Sequence, residues 1–563
     1  MKSRKLVFLL VVLMLFTFLT GCNSDIEPIA NTENEEVDID YLIVEGGQVV
    51  LPLTPFNTLN PLMTSNLSYY YFSKLIYEGL YEFNDSLEPT PQLAESHTIL
   101  DDGKTVLVKL REDVYWHDGE KFTTEDVMFT INVLSNSKLN TAYNDNISYF
   151  KSISANVIDD YNIELRFEVP SGNVLESLTF PIIPSHQFIA NKANDRYAMA
   201  LQLEGYSPIG TGPFKFINYD KYKSIELEAY ENYRFGKPSI ANVIGKVLNN
   251  NELFITAFEA GQINITPVTG VDWDKHKESS RIKILEYVSN DYEFLAFNFN
   301  NPIFSGENGS VIRKAINYGI NRQEIIQKIY LGHATQTDVP LHPNSWLLSE
   351  EANHYGYNPA TGRELLTSSG LIDVNGDGIL EDQEGNKISF SLVTNPTNLY
   401  RFRVAEMIRE DLKEIGIEIV LAFDTSYERD IELEDKMNEW DELNEKITSG
   451  KFDIALLGWQ LSLIPDLNEF FHSNQIGQNN IINYNNEVMD TLLLNVDNSF
   501  SKESRITSYN EIQKYIIDDL PYVSLFLRNK AILIDTKIRG ELSPNIFNPY
   551  KGLEKCFIAL DSE

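Results

Sequence analysis

The chain has 563 residues, 82 of them acidic against 46 basic, for a net charge of −36. That excess argues against nucleic acid as a partner, because phosphate binding needs Lys and Arg, and against broad adhesion to anionic lipid. Apolar residues make up 43% and aromatics 12%, enough for full cores; at roughly 100–200 residues per domain, about three domains are expected.

The first element is a leader. Lys2, Arg4 and Lys5 precede an uncharged apolar run over 6–19, followed by Leu19-Thr20-Gly21-Cys22. A basic head, an apolar stretch and small residues before a cut site read as a secretory signal, and the run is short for a membrane span. Leu-Thr-Gly-Cys resembles the lipobox of bacterial lipoproteins, in which Cys22 carries lipid (palmitate among its acyl chains) and becomes the first mature residue. An ordinary signal peptide with an incidental Cys, or a signal anchor, are the alternatives. The lipoprotein reading places the mature chain on the extracytoplasmic face of the cell membrane, held by lipid on Cys22 only. Without the three basic residues its net charge becomes −39.

Residues 23–40 are acidic, Asn-rich and poor in large apolar groups, which predicts a flexible tether. From Tyr41 onward the pattern is globular. With Cys22 taken by lipid, Cys556 stands alone and no intramolecular disulfide is expected, so packed cores must supply the stability. TVLVKL at 105–110 and NIELRFEV at 162–169 alternate apolar and polar residues and predict strands. Thr123 and Asp126 suit a capping box at the start of a helix that carries Val127, Ile131 and Leu134 on one face. Residues 313–329 predict two helices broken near Gly319-Ile320-Asn321, and 401–415 an amphipathic helix capped by Gly416. Strands are expected at 388–393, 417–422 and 453–458. Residues 427–450 are a charged helical run that reads as a solvated face. The alternation over 401–458 suggests an α/β lobe.

Catalytic signatures are missing. The eight His form no H-E-x-x-H pair, no G-x-S-x-G elbow occurs, and GYSPIGTG at 205–212 lacks the Lys of a phosphate loop. A distant glycosidase pair of carboxylates stays open, but the acidic residues mostly read as surface. No enzyme is expected.

An ordered set of short motifs gives a resemblance. LNP at 59–61, IYEGL at 76–80, PQLAE at 91–95, DGKT at 102–105, WHDG at 116–119 and TEDV at 124–127 come first. GTGPF at 210–214, Phe297-Asn298, RKAI at 313–316, Asn321-Arg322, YNP at 357–359, GKFD at 450–453 and Gly458-Trp459 follow. Together they resemble the large extracellular solute-binding proteins of peptide and nickel ABC importers over residues 41–545. Read locally, Asp118-Gly119 is a turn, His117 a packing or hydrogen-bonding residue, and Gly210 and Gly212 mark tight backbone geometry.

The resemblance implies an α/β, two-lobed periplasmic-binding-protein-like fold with a hinge and an additional inserted domain. Lobe I would comprise 41–64, 205–295 and 525–563; the inserted domain 65–204; lobe II 296–524. Crossings are expected near 292–300 and 521–528, with the ligand in a cleft that closes by hinge bending. The closed form would dock on ABC importer permease subunits as a monomer. By position, Ser65, Asn66, Leu67, Asn298, Trp459, Gln460 and Ser462 would line the cleft. Many peptide binders of the family carry an Asp three residues after the Trp to pair with the ligand's ammonium. This chain has Ser462 there, whose neutral hydroxyl cannot replace that bond, and Asp466 is the nearest substitute. The leading reading is therefore a receptor for an oligopeptide, with an oligosaccharide, a nickel chelate or a signalling peptide sensed rather than imported as alternatives, and an extracellular hydrolase as the enzyme-class rival.

No cofactor is required on this reading. Residues 373–384 nevertheless fit a calcium-loop template, with Asp373, Asn375, Asp377, the carbonyl of Ile379, Glu381 through water and Glu384 as the shell and Gly378 at the turn. An Asx-rich hairpin turn fits the same residues.

Overall fold

The computed structural model describes residues 41–561 apart from 45, 101–102, 136–152, 190–192, 269, 272, 353, 424–432 and 463. The signal, Cys22 and the tether at 23–40 lie outside the described residues. Contacts divide the chain into a large unit, Ile43–Ala559, and a small one of chain ends, Met1–Leu42 with Leu560–Glu563.

A seven-stranded sheet organises the large unit. Its order is Ile265–Pro267, Tyr522–Asp535, Ile282–Phe297, Ile454–Gln460, Ser389–Val393, Glu418–Leu421, with Ala334–Gln336 also on Tyr522–Asp535. Ile282–Phe297 and Tyr522–Asp535 are the long members, at 16 and 14 residues. They run antiparallel from Ile282↔Asp535 to Ala296↔Tyr522, and their register breaks between Val288 and Tyr292. Before the break the outer neighbour is Ile265–Pro267; beyond it Ile454–Gln460 joins, from Asp291↔Gln460 onward. The same two strands thus serve both lobes. The break lies just before the window 292–300 expected for the first crossing, and opposite the end of the second.

Beyond the break, side chains alternate between two cores. Tyr292, Phe294 and Ala296 join Tyr509, Ile512 and Ile516 of the helix Lys502–Asp519. Leu295 and Phe297 join Ile312, Ile316, Val404 and Ile408 on the other face. Burial on both faces explains why FLAF at 294–297 is a continuous apolar run instead of an alternation.

Two smaller sheets complete the body. Gln48–Leu53, Asn242–Val247, Ser224–Ala229 and Phe214–Asp220 form one, its first pair parallel. Ala94–Ile99, Thr105–Leu110, Asn162–Arg166 and Ser154–Val157 form an antiparallel sheet lying wholly within 65–204, extra to the two-lobed core.

The expected local signals have visible causes. The break at 319–321 separates Gly309–Gly319 from Arg322–Ile329, because Asn321 caps the second helix through Glu324 N. Gly416 ends the helix Leu399–Glu414 at φ +95°. Of the capping box, the carboxylate half forms: Asp126 accepts from Thr123 N at 3.0 Å and also holds Trp116 Nε1 and Ser185 N. The charged run is helical over Leu433–Thr448, while 424–432 lie outside the described residues.

Motif residues are mostly keystones. Arg313 anchors the end of the helix Lys502–Asp519 by donating to Asp519 O and Leu520 O at 3.0 Å. Arg322, 2% exposed, pairs with the buried Asp338 and donates to Tyr355 O at 2.7 Å. His117 donates from Nε2 to Gly212 O at 2.9 Å and accepts from Gly210 N at 3.3 Å, which fixes a neutral ring. Cys556, 1% exposed, points its thiol at Gly552 O at 3.5 Å, and burial pushes that thiol up to about 12.

Gly210 packs its backbone against the turn after the helix Leu67–Ser73. A Cβ there would fall 1.8 Å from Ile76 O. Gly210→Ala is expected to cost about 3 kcal/mol or more, because backbone and not a flexible side chain must move; chemical denaturation of the variant checks this.

Candidate functional site

The floor of the site is the register break. On the side away from the break Asn290 extends the pairing with Ile454–Gln460: its O accepts from Leu461 N and its Nδ2 donates to Leu461 O, both at 2.9 Å. Asp291 takes Lys530 Nζ at 3.1 Å, Arg528 Nη2 at 3.2 Å and Gln460 Nε2 at 3.1 Å. Burial alone would raise the Asp291 pKa, but the two cations and the amide hold it below the usual carboxylate range. Next to it, Glu293 is gripped by Arg401 through Nε at 2.7 Å and Nη2 at 3.1 Å. Gly458 makes room for that pair, since a Cβ would lie 1.9 Å from Arg401 Nη2.

A cavity opens above this floor. One wall is the loop after Gln460, with Ser462, Pro465 and Asp466, together with His342 and Asn290; the facing wall is Ile546 and Phe547. The facing segment is held by Phe83, stacked on Phe547 at 3.8 Å, and by Tyr71, whose hydroxyl donates to Ile546 O at 3.3 Å. His342 donates from Nε2 to Val288 O at 3.2 Å and accepts from Asn344 N at 3.1 Å. Burial pulls its pKa down to about 4, against the pull of the Val288 carbonyl, so the ring is neutral. Asp466 is exposed and its Oδ1 accepts from Asn468 N at 2.9 Å. Among the described residues lining the cavity, it alone presents an ionised group.

Of the residues expected at the ligand, Ser462 and Asp466 meet here. Gln460 is committed to Asp291 beneath. Trp459 is half-buried against Phe470, with ring centres 4.8 Å apart. Asn298, 4% exposed, spends its amide on Gly450 O and Phe452 O. Asn66 caps the helix Leu67–Ser73 through Tyr69 N, and Ser65 and Leu67 are exposed; none of the three lines this cavity. Asn290, His342, Ile546 and Phe547 were not anticipated. They lie outside the motifs, in segments that only the crossing strands bring together.

In the calcium-type loop, oxygens of Asp373, Asp377 and Glu381 lie within 4.8 Å of one another. They already accept hydrogen bonds: Asp373 from Gly376 N and Gly378 N, Asp377 from Ile379 N and Lys387, and Glu381 from Val374 N and Asn375 Nδ2. Glu384 is not in the trio and faces Asn386 at 3.5 Å. The arrangement suits a hydrogen-bonded Asx turn, and Glu381 rather than Glu384 joins it.

Across the cleft the two sides touch. Arg505 of the helix Lys502–Asp519 reaches Glu176 at 2.6 Å and Asn173 Oδ1 at 2.7 Å, with its guanidinium 4.9 Å over the Trp346 ring. Asn173 Nδ2 donates to Pro465 O at 3.1 Å, tying this contact to the loop after Gln460. Trp346 N donates to Ser86 O, and Lys502 pairs with Glu88.

Two lobes sharing a pair of strands, with a cavity at the break between them, define a solute-binding protein. Residues 88–480 match the family described as "Bacterial extracellular solute-binding proteins, family 5 Middle". The match covers more than half of the chain, and the chain belongs to this family. It is 27% identical over 550 residues to the oligopeptide-binding protein AppA of Bacillus subtilis, spanning 96% of both chains. It is 25% identical over 521 residues to heme-binding protein A of Haemophilus influenzae, spanning 87% of this chain and 89% of the relative. The solved structure of B. subtilis AppA in complex with a nonapeptide is similar with a TM-score of 0.59 at 26% identity, covering 92% of this chain and all of that one. The unliganded open form of the periplasmic murein tripeptide binding protein MppA shares the fold with a TM-score of 0.76 at 16% identity, covering 92% and 99%. The protein is thus the extracellular, solute-capturing component of an ABC importer, a partner of its permease and not an enzyme.

Two predictions follow from this geometry. Glu176 and Arg505 are a buried pair, so removing one partner strands the other; Glu176→Gln is expected to cost about 3–5 kcal/mol in chemical denaturation, and Glu176→Leu with Arg505→Met to recover most of it. His117 and His342 have folded pKa values of about 4, below the unfolded value near 6.5. Between these values the unfolded chain binds more protons, so stability falls as pH drops, by about 1.4 kcal/mol per pH unit for each ring. His342→Gln should remove one ring's share of that slope in denaturation curves across the window.

Proposed function

We propose that this protein captures oligopeptides, holds the ligand's ammonium on Asp466, and delivers the peptide to the importer while anchored to the membrane by lipid on Cys22. The observation that carries the reading is the charge pattern of the cavity. Asp466 is its one ionised lining group among the described residues, beside a neutral His342 and the hydroxyl of Ser462. An ammonium is the group that such a wall rewards, through a charge-assisted hydrogen bond to the free carboxylate oxygen. The oligopeptide-binding relative from B. subtilis spans nearly the whole chain and supports the same class of ligand.

The division of labour follows. Residues 41–64, 205–295 and 525–563 form lobe I, 65–204 the inserted domain and 296–524 lobe II; the strands at the break act as the hinge. The peptide backbone extends along the loop 460–466, and closure buries it between that loop and Ile546–Phe547. Capture needs no cofactor, and the receptor acts as a monomer.

Native mass spectrometry of the gently purified mature chain, residues 23–563, tests the ligand class. A ladder of adducts that fragments into amino-acid residues is expected; a single sugar or metal-chelate adduct would overturn the oligopeptide reading. Asp466→Asn should weaken peptides with a free amine by about tenfold to a hundredfold, the worth of a charged hydrogen bond. N-acetylated forms of the same peptides should lose nothing, as titration calorimetry of both series would read.

A further inference from the structure

A second cavity lies on the far side of Phe547 and Ile464. Phe547 lines both cavities, and Ile464 belongs to the loop that carries Ser462 and Asp466. Its polar wall includes Lys74, Tyr81, Glu82, Gln92 and Asn545.

The carboxylates around this wall have partners of their own. Glu176 holds Arg505 at 2.6 Å. Glu78 takes both ends of Arg234, at 2.6 and 2.7 Å. Asp85 takes Lys551 at 2.8 Å. Glu82 accepts from Gln92 Nε2 at 3.4 Å, and burial raises its pKa, with Glu78 and Glu554 pushing the same way against Lys551 and Lys74.

Two buried donors in this wall are not matched. Tyr81 is 1% exposed, and its buried hydroxyl has no hydrogen-bond partner. Asn545 Nδ2 is buried without an acceptor. The Lys74 ammonium sits 4.7 Å from the centre of the Tyr70 ring and forms no ion pair among the described residues. Burial pulls Lys74 down to about 8, with Glu82 opposing. A buried hydroxyl and a buried amide left without partners are costly, and the half-buried Lys74 ammonium beside them faces only Glu82 and the Tyr70 ring. The group that would satisfy all three carries a negative charge and several lone pairs.

We propose that this cavity is a side pocket of the cleft that receives a carboxylate of the captured solute on Lys74, Tyr81 and Asn545. The pocket selects for acidic ligands, through either an acidic side chain or a terminal carboxylate. A neutral amide of the same shape leaves the ammonium uncompensated. The pocket's use in capture rests on the oligopeptide reading, whereas its affinity for a carboxylate does not.

The test uses the purified protein and an equimolar pool of synthetic peptides. Members differ only in Glu against Gln at one position, or in a terminal acid against its amide. The ratio retained is read by mass spectrometry. The acid form is expected to be enriched about tenfold in one of the two comparisons, the scale of one charge-assisted bond, and which comparison responds identifies the carboxylate. The ratio should fall to about one in Lys74→Met and several-fold in Tyr81→Phe, a milder change should the first variant fail to fold. Equal retention of acid and neutral forms by the wild type, or a preference that survives both variants, overturns the pocket while leaving oligopeptide capture standing. A peptide-free arm titrates the Lys74 Nζ resonance, assigned through Lys74→Met, with glutarate and with glutaramide. A shift with glutarate alone supports the pocket even where no peptide is retained, in which case the oligopeptide reading fails instead. No retention and no shift overturns both.

Discussion

Everything in this protein turns on two strands that cannot stay in register. A hydrogen-bonded ladder of 16 and 14 residues is stiff along its length, so a joint between two lobes must fall where the ladder is interrupted. The interruption at 289–291 does more than permit bending. It interrupts the pairing with Tyr522–Asp535, while on the other side Asn290 links to Leu461 and the Asp291 side chain gathers Gln460, Arg528 and Lys530. The floor of the cleft and the charged knot beneath it are therefore one feature. Gly458 belongs to it too, because only a residue without a side chain lets Arg401 reach Glu293 across the neighbouring strand.

The walls above that floor differ sharply from the rest of the molecule. The chain carries a net charge of −36, yet among the described residues lining the cavity above the floor Asp466 is the one carboxylate, next to neutral and apolar groups. The charge that keeps the body soluble and apart from an anionic surface is spent outside the site. Arg505 and Glu176 neutralise each other across the closing faces, and Asn173 connects them to the backbone of the loop after Gln460. The Arg505–Glu176 contact and the loop at Pro465 are in this way mechanically linked.

Much of the fold was legible in the sequence. Alternation marked Thr105–Leu110, a Gly and an Asn cap marked the break at 319–321, and Gly416 marked a helix end, because each depends on nearest neighbours along the chain. The motif set marked the family because its glycines and arginines are packing keystones, Gly210 against Ile76 and Arg322 on Asp338 among them. The site was less legible. Asn290, His342 and Phe547 come from segments far apart, and no local pattern singles out a residue whose role is set by a strand crossing elsewhere. Two asparagines expected near the ligand serve the backbone instead, Asn66 as a helix cap and Asn298 on the carbonyls of Gly450 and Phe452. At 373–384 the spacing is compatible with both readings, since carboxylates that accept from turn N–H groups need much the same periodicity as carboxylates that face an ion.

Cys556 has a consequence for how such a receptor can be handled. It is the free cysteine among the described residues, sealed under the body with its thiol held protonated far above ordinary pH. A thiol in that state is neither a nucleophile nor a ready target for oxidants. The folded body therefore behaves as a cysteine-silent scaffold. It needs no reducing partner at Cys556 to stay covalently uniform outside the cell, and a pair of cysteines introduced on opposite cleft walls of the chain 23–563 would take up dyes without background from Cys556, turning any opening and closing of the molecule into a signal.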